Sequence, residues 1–142
     1  MLNEVLGIAL AVIVGMSRPT VSFDILQSQF LTEEEIQMIA QITYGEAGNQ
    51  SELGKRLVID VLLNRKDHKL FPNTVKGVIF QDRQFGTAKC INTYPVCDDI
   101  CKMVKEEVFF RTNYDVMYFN SGSYVSGVPL FQEGDHYFSG QG

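Results

Sequence analysis

The side chain best suited to acid chemistry in this sequence is that of Glu46, in the segment 42–47. Apolar and small residues recur at helical spacing before it, so Glu46 is expected in the last turn of a helix whose other face is apolar. The negative end of the helix dipole and burial among apolar groups both favour a carboxyl group that keeps its proton. Cleavage of a glycosidic bond needs such an acid near neutral pH. Because a glutamate in the last turn of a helix is usually solvated, this segment alone does not establish catalysis.

The cysteines and histidines form no recognisable metal motif. Cys90, Cys97 and Cys101 match no common zinc spacing, and only His68 and His136 could join them. We therefore expect no metal and no cofactor. In an exported protein, a disulfide from Cys90 to Cys97 or to Cys101 would pin a polar loop to the last long helix, and three reduced thiols are the alternative.

The elements that must position these residues follow from the spacing of apolar side chains and from capping residues. The first helix begins with a capping box, in which Thr32 is the cap and Glu35 the reciprocal residue. After residue 111 the pattern changes from helical to extended. The predicted elements are, in order, a helix from Thr32 to the break at Gly48-Asn49, a helix from Ser51 to His68, a short helix from Thr74 through Phe80, a loop from Gln81 to Thr93, a helix from Val96 to Phe110, and extended segments at Val116–Phe119 and His136–Phe138.

Each long helix is predicted to turn one apolar face inward. The inward-facing residues are Ile36, Ile39, Ala40, Thr43 and Ala47 on the first helix, Leu53, Leu57, Val58, Val61 and Leu62 on the second, and Ile100, Met103, Val104, Val108 and Phe110 on the third. Asp60 lies on the rim of the second face and is most simply a capped or paired surface group, with a partly buried carboxylate near Asn64 as the alternative. Asn64 itself is expected to hydrogen-bond loop backbone.

Composition restricts the fold and the partners. A length of 142 residues suits one domain, and 45% apolar with 20% charged residues excludes a disordered chain. Twelve Lys and Arg against 17 Asp and Glu leave a net charge of −5, which argues against nucleic acid as a partner. The predicted fold is α+β and mainly helical, a single domain with a small extended element near the C-terminus.

Residues 1–20 read as a separate hydrophobic leader. Val5 to Met16 contains only apolar and glycine residues, between Glu4 and Arg18. The run is short for a membrane-spanning helix, which needs about 20 residues, and it lacks the positive region of a secretory signal. Three interpretations stay open: an export signal or weak anchor, which would bring residues 5–16 into contact with a membrane; a helix packed on the core or on a partner; and a tilted inserted span. Residues 21–142 then form the catalytic domain.

Several short motifs follow one another along this domain. They are Tyr44-Gly45-Glu46-Ala47, Gly54, Val61-Leu62-Leu63-Asn64-Arg65, Phe71-Pro72-Asn73-Thr74-Val75-Lys76-Gly77-Val78-Ile79, Gln84-Phe85, Met117-Tyr118-Phe119-Asn120 and Asp135-His136-Tyr137-Phe138. No single motif is specific, but their combination is. Over residues 33–138 the chain resembles the cell wall hydrolase family typified by spore cortex-lytic enzymes.

The resemblance implies a fold similar to that of lysozymes and lytic transglycosylases. It also implies cleavage of peptidoglycan glycan strands between N-acetylmuramic acid and N-acetylglucosamine, by a protein that is secreted, membrane-tethered or phage-associated. The family's catalytic acid falls on Glu46, which would protonate the leaving oxygen and then take the proton of the sugar's 6-hydroxyl, closing a 1,6-anhydro ring. The residues expected to bind the substrate are Tyr44, Gln84, Phe85, Tyr118, Asn120 and His136.

Most of these binding residues also have a structural alternative. Tyr44 and Tyr118 could pack in the core instead of stacking on a sugar. Gln84 and Phe85 could anchor a loop. For His136, a hydrogen-bonded structural role competes with a catalytic one.

One position departs from the family pattern. Many members carry a second glutamate four residues after the first, where this chain has Gln50. An amide is neither a base nor an anion at ordinary pH, so the departure favours a single-acid transglycosylase over hydrolysis by two carboxylates. Glu52 could compensate, although it is more simply a first-turn helix charge. A non-catalytic peptidoglycan-binding protein or phage-particle component that keeps the cleft is the competing hypothesis.

Overall fold

The computed structural model of this chain describes residues 31–82 and 84–142. The predicted leader, residues 1–20, and the predicted membrane contact through residues 5–16 lie outside the described residues. The first ten residues of the predicted catalytic domain, 21–30, also lie outside them. Within the described ranges, no helix combines the length and the apolar character that crossing a membrane requires.

The helices of the described part begin where short polar side chains cap them. Thr32 accepts a hydrogen bond from the Glu35 N–H and Glu35 accepts one from the Thr32 N–H, so the predicted capping box is confirmed. Ser51 and Thr74 cap the next two helices, as predicted. The elements are α1 (Glu33–Ala47), α2 (Glu52–Asp67), α3 (Val75–Ile79), a 3₁₀ helix (Ala88–Thr93) and α4 (Asp98–Phe109).

A three-stranded antiparallel sheet follows the helices. Its strands are β1 (Tyr118–Ser121), β2 (Val128–Glu133) and β3 (His136–Gly140), in the spatial order β1-β3-β2. The sequence pattern does not predict β2, because its first three residues are all exposed and no buried face gives it an alternating pattern. Strand β3 lies in the centre and is almost wholly buried.

Two apolar clusters hold these elements together. The larger one joins the helices and includes Ile39, Leu62 and Val104. In the smaller one, Val58 of α2 packs with Phe138 of β3, which fastens the sheet to the helices. Since the smaller cluster also contains Ala47, the last residue of α1, the sheet is held beside the C-terminal end of α1.

Most of the predicted inward faces are confirmed, and two residues were wrongly included. Leu53 is 44% exposed because it lies in the first turn of α2, before the stripe that packs against the other elements. Phe110 is 81% exposed because α4 ends at Phe109 and the backbone of Phe110 has left the helical conformation. The predicted loop from Gln81 to Thr93 is also partly wrong, because its second half forms the 3₁₀ helix.

Candidate active site

Glu46 lies in the last turn of α1, and its carboxyl group is held from one side. The side chain is half-buried. The backbone N–H and the hydroxyl of Thr87 both donate to its Oε1, at 3.2 Å and 2.7 Å. Thr87 precedes the 3₁₀ helix but its hydroxyl does not cap that helix, which leaves it available to Glu46. One carboxylate oxygen is thereby fixed in position by a residue 41 positions further along the chain.

His136, the first residue of β3, forms a second wall of the site. It is 3% exposed, and its ring centroid lies 5.0 Å from that of Phe119. Burial lowers the pKa of His136 below its ordinary value, while the negative charges of Glu46 and Asp135 act against this shift. The imidazole is therefore mainly neutral at neutral pH, and it lies close enough to Glu46 to interact with the charge of that carboxyl group. Among the described residues, its Nδ1 atom finds no hydrogen-bond partner.

Two tyrosines lie together on the last turns of α1. Tyr44 is 40% exposed, and its ring centroid lies 6.1 Å from that of Tyr94. The ring of Tyr94 lies directly over Gly45, where an added Cβ would come within 2.6 Å of the ring. The absence of a Cβ at Gly45, next to Glu46, thus lets Tyr94 approach the helix this closely. Sequence reasoning missed Tyr94, since nothing in its local pattern marks it.

Beneath the sheet, a buried arginine lies among three aromatic rings. Arg65 is 2% exposed, and its Nε donates to the carbonyl oxygen of Met117 at 2.6 Å. Its guanidinium carbon lies 5.2–5.4 Å from the ring centroids of Tyr118, Phe85 and Phe71. Burial lowers the pKa of Arg65 to about 10. The predicted binding residues Phe85 and Tyr118 therefore pack on this arginine, and Phe85 belongs to the helical core.

The remaining predicted binding residues lie at the edges of this arrangement. Asn120 is exposed, and its side-chain amide donates to the carbonyl oxygens of Ser121 and Ser123. Because neighbouring residues of a strand point to opposite faces, Asn120 faces away from Phe119 and its aromatic neighbours. Gln84 is half-buried in the segment before Thr87. The fold thus brings Glu46, Thr87 and His136 together, while Tyr44 lies on α1 two residues before Glu46.

A separate pair of buried acids is formed by Asp60 of α2 and Glu107 of α4. Asp60 is 0% exposed, its Oδ2 accepts the Asn113 N–H at 2.8 Å, and its Oδ1 has no partner among the described residues. Burial raises the pKa of Asp60 to about 8, and the charge of Glu107, itself 2% exposed, acts in the same direction. The expectation of a surface group at Asp60 is therefore wrong. The predicted structural role of Asn64 is confirmed, since its amide donates to the backbone oxygens of Asn113 and Val116.

The described residues contain no cluster of three or more His, Cys, Asp or Glu side chains arranged to hold a metal ion. Cys90, Cys97 and Cys101 are all free thiols in this structure. A cavity of about 310 Å³ lies along the first half of α1 and is lined by Gln37 and Phe80 among others, so it is separate from the surroundings of Glu46.

Solved structures with this architecture identify the fold. The chain superposes on the catalytic domain of the germination-specific lytic transglycosylase SleB from Bacillus anthracis with a TM-score of 0.67 and 29% sequence identity, covering 77% of this chain and 96% of that one. The catalytic domain of the Bacillus cereus SleB protein gives a TM-score of 0.69 at 26% identity, covering 88% of this chain and 99% of that one. The predicted α+β, lysozyme-like fold is confirmed.

The chain belongs to the Cell Wall Hydrolase family, whose profile matches residues 49–138. It is 44% identical over 54 residues to the spore cortex-lytic enzyme of Bacillus cereus, and 44% identical over 57 residues to that of Oceanobacillus iheyensis. These segments cover 38% and 40% of this chain and 21% of each relative, so the match spans about a fifth of the length of the curated relatives. Glu46 lies just before the range that the family profile matches.

Proposed function

We propose that this protein cleaves the glycan strands of peptidoglycan between N-acetylmuramic acid and N-acetylglucosamine, as a lytic transglycosylase. Membership of the Cell Wall Hydrolase family and the likeness to SleB catalytic domains support peptidoglycan as the substrate. Because peptidoglycan lies outside the cytoplasmic membrane, the protein would act outside the cytoplasm.

The observation that carries this proposal is the setting of Glu46. Two hydrogen bonds from Thr87 orient its carboxyl group, and the side chain is only half-buried, so that an extended polymer can reach it. The imidazole of His136, which is mainly neutral, lies close enough to interact with the Glu46 charge. An acid held in one orientation in a partly dry site needs little reorganisation when its proton moves.

Glu46 acts first as the acid and then as the base in the proposed reaction. Its proton passes to the glycosidic oxygen as the bond from that oxygen to C1 of N-acetylmuramic acid breaks, and N-acetylglucosamine leaves as the alcohol. The Glu46 carboxylate then takes the proton of the C6 hydroxyl on the same muramic acid, whose oxygen bonds to C1. This step closes the 1,6-anhydro ring and returns the proton to Glu46. The scheme needs no second carboxylate, which suits an amide at Gln50.

The surrounding residues take two roles in this proposal. Tyr44 is exposed on α1 two residues before Glu46 and would stack on a sugar, while the half-buried Gln84 would hydrogen-bond the chain further along. Asn120 faces away from the aromatic wall and takes no part in this scheme. Phe85 and Tyr118 would support the site by packing on the guanidinium group of Arg65, and would provide little of the contact with the sugar.

The proposal is tested by replacing the acid while keeping its shape. Glu46→Gln should lower the release of anhydro-muropeptides from purified peptidoglycan by at least about 100-fold, since the amide carries no transferable proton. Glu33→Gln is the matched control, because it makes the same change at an exposed side chain in the first turn of α1, at the end of the helix opposite Glu46. Mass spectrometry of the soluble products gives the readout, and circular dichroism checks the fold.

Three other results would each change the conclusion. Ordinary reducing ends in place of anhydro ends would retain a glycosidase but exclude the transglycosylase route. Binding of the wild-type protein to peptidoglycan without any product would favour the non-catalytic wall-binding alternative. Full activity of Glu46→Gln would remove Glu46 from the mechanism.

We further propose that residues 5–16 contact a membrane, as part of an export signal or weak anchor in a leader that spans residues 1–20. The support is the uncharged apolar run in the sequence, together with a substrate that lies outside the membrane. Fractionation of bacteria expressing the full chain should place the protein in the membrane or the medium. Recovery of the full-length protein in the soluble cytoplasmic fraction would contradict this proposal.

A further inference from the structure

Gln50 uses both ends of its side-chain amide on one residue of the β2–β3 turn. Its Nε2 donates to Oδ2 of Asp135 at 2.9 Å, and its Oε1 accepts the backbone N–H of Asp135 at 3.0 Å. Nε2 also donates to Oδ1 of Asn49, and Lys55 donates to the Gln50 carbonyl oxygen. A residue of the turn between α1 and α2 is thus tied to a turn 85 positions away.

The neighbouring residues grip the same turn. The hydroxyl of Ser51 donates to Oε1 of Glu133 at 2.9 Å, two residues before Asp135. Between them, Gly134 has a φ of +57°, and a Cβ added there would collide with Oε1 of Gln50. Only glycine therefore allows the turn to lie this close to Gln50. We call the contacts of Gln50 and Ser51 with residues 133–135 the hairpin clamp.

The hairpin clamp joins the two sides of the candidate site. Gln50 follows Glu46 by four residues, and Asp135 immediately precedes His136. His136 lies close enough to Glu46 to interact with its charge, and its ring lies 5.0 Å from that of Phe119. The clamp adds a polar connection between the end of α1 and the start of β3 to the apolar one, in which Phe138 and Ala47 share a cluster.

We infer that Gln50 and Asp135 are positioning residues, which hold His136 and its strand against Glu46 at the spacing that the reaction requires. This inference rests on the proposed function. It also explains why an amide occupies position 50. A single side chain that both donates and accepts can satisfy the carboxylate and the N–H of Asp135 together, whereas a glutamate would accept the N–H but set a second carboxylate against that of Asp135.

The competing view is that Gln50 stands for a lost second carboxylate of a hydrolytic pair. The two views predict opposite results for Gln50→Glu. If a carboxylate had been lost, restoring it would raise activity or generate ordinary reducing ends. If Gln50 is a positioning residue, the same change opens the hairpin clamp and lowers activity.

The decisive experiment exchanges donor and acceptor within the pair. In the full chain, Gln50→Glu should lower kcat for release of anhydro-muropeptides by roughly tenfold with little change in KM, because a small displacement of a catalytic wall costs more in rate than in binding. In the double variant Gln50→Glu/Asp135→Asn, the introduced carboxylate accepts both the backbone N–H and the new side-chain amide of residue 135. The kcat of the double variant should return to within about threefold of the wild-type value, because both hydrogen bonds between residues 50 and 135 are formed again. Gln37→Glu, at an exposed position of α1, is the matched control for added charge.

A spectroscopic readout separates this inference from the proposed function. The chain has two histidines, so His68→Gln assigns the imidazole resonances of His136. The Phe119 ring, 5.0 Å from that of His136, shifts those resonances by an amount that depends on the relative position of the two rings. Gln50→Glu should therefore change their chemical shifts, and the double variant should return them to the wild-type values. A double variant no more active than Gln50→Glu, or an activity gain in Gln50→Glu, would overturn the inference. If the wild-type protein cleaves no peptidoglycan, the proposed function fails, and unmoved His136 resonances in Gln50→Glu would still refute the positioning role.

Discussion

Replacing Asp60 with asparagine should remove a large pH dependence of stability. Asp60 is 0% exposed, its Oδ2 accepts the Asn113 N–H at 2.8 Å, and its Oδ1 has no partner among the described residues. Asparagine has nearly the same shape and can still accept that N–H. It can also direct its NH₂ group toward Glu107, whose charge helps to raise the pKa of Asp60. The variant therefore keeps the packing and the hydrogen bond but cannot ionise.

The magnitude follows from the pKa of Asp60 in the fold. Burial raises it to about 8, from 3.8 for the exposed group. A group whose pKa is raised by folding stabilises most below its unfolded pKa, and that stability is lost as the pH rises through the folded pKa. Each pH unit between the two values costs about 1.4 kcal/mol. Between pH 5 and pH 9 only the interval up to pH 8 counts, so the wild-type protein loses about 4 kcal/mol from this group.

Urea unfolding at a series of pH values measures this effect. The free energy of unfolding of Asp60→Asn should lie within about 1 kcal/mol of the wild-type value at pH 5 and exceed it by about 4 kcal/mol at pH 9. Comparing the variant with the wild type cancels the titrating groups that do not interact with Asp60, which both proteins share. Asp99→Asn makes the same substitution at an exposed position of α4 and serves as the control.

A difference between the two proteins that stays constant from pH 5 to pH 9 would refute this reasoning. That result would mean that Asp60 is already ionised in the folded protein at pH 5, so that the hydrogen bond from Asn113 and the neighbouring positive charge of Arg111 offset most of the effect of burial.

Two further predictions concern the site and the hairpin clamp. Thr87→Val removes the hydroxyl that donates to Glu46 at 2.7 Å and should lower kcat by about tenfold. Thr87→Ser keeps a hydroxyl and should retain most of the wild-type kcat. Equal activity of the two variants would show that the hydroxyl does not orient Glu46. Gly134→Ala should destabilise the fold by about 2 kcal/mol, and by more than Gly122→Ala, because both glycines have positive φ but only Gly134 is pressed against Gln50. Thermal unfolding measures the difference, and equal losses would show that the close contact with Gln50 carries no energy.

The sequence determined the helical part of this fold, because local signals specify helices. Capping residues such as Thr32 and Ser51 mark where a helix begins, and the spacing of apolar residues marks its buried side. The same reasoning placed Glu46 in a last helical turn and linked the order of short motifs to the family. It was wrong at Phe110, where the chain leaves the helix one residue earlier than the pattern predicts.

Only the tertiary structure decided what surrounds Glu46. Thr87 bonds to it from 41 positions along the chain, and the charge of Glu46 acts on His136, 90 positions away; no local pattern records such distant neighbours. The burial of Asp60 and the hairpin clamp of Gln50 could not be predicted for the same reason. The local sequence around a polar side chain does not indicate which distant residue folding brings next to it. Helices are specified by neighbours in sequence, whereas the chemistry of this site is specified by neighbours in space.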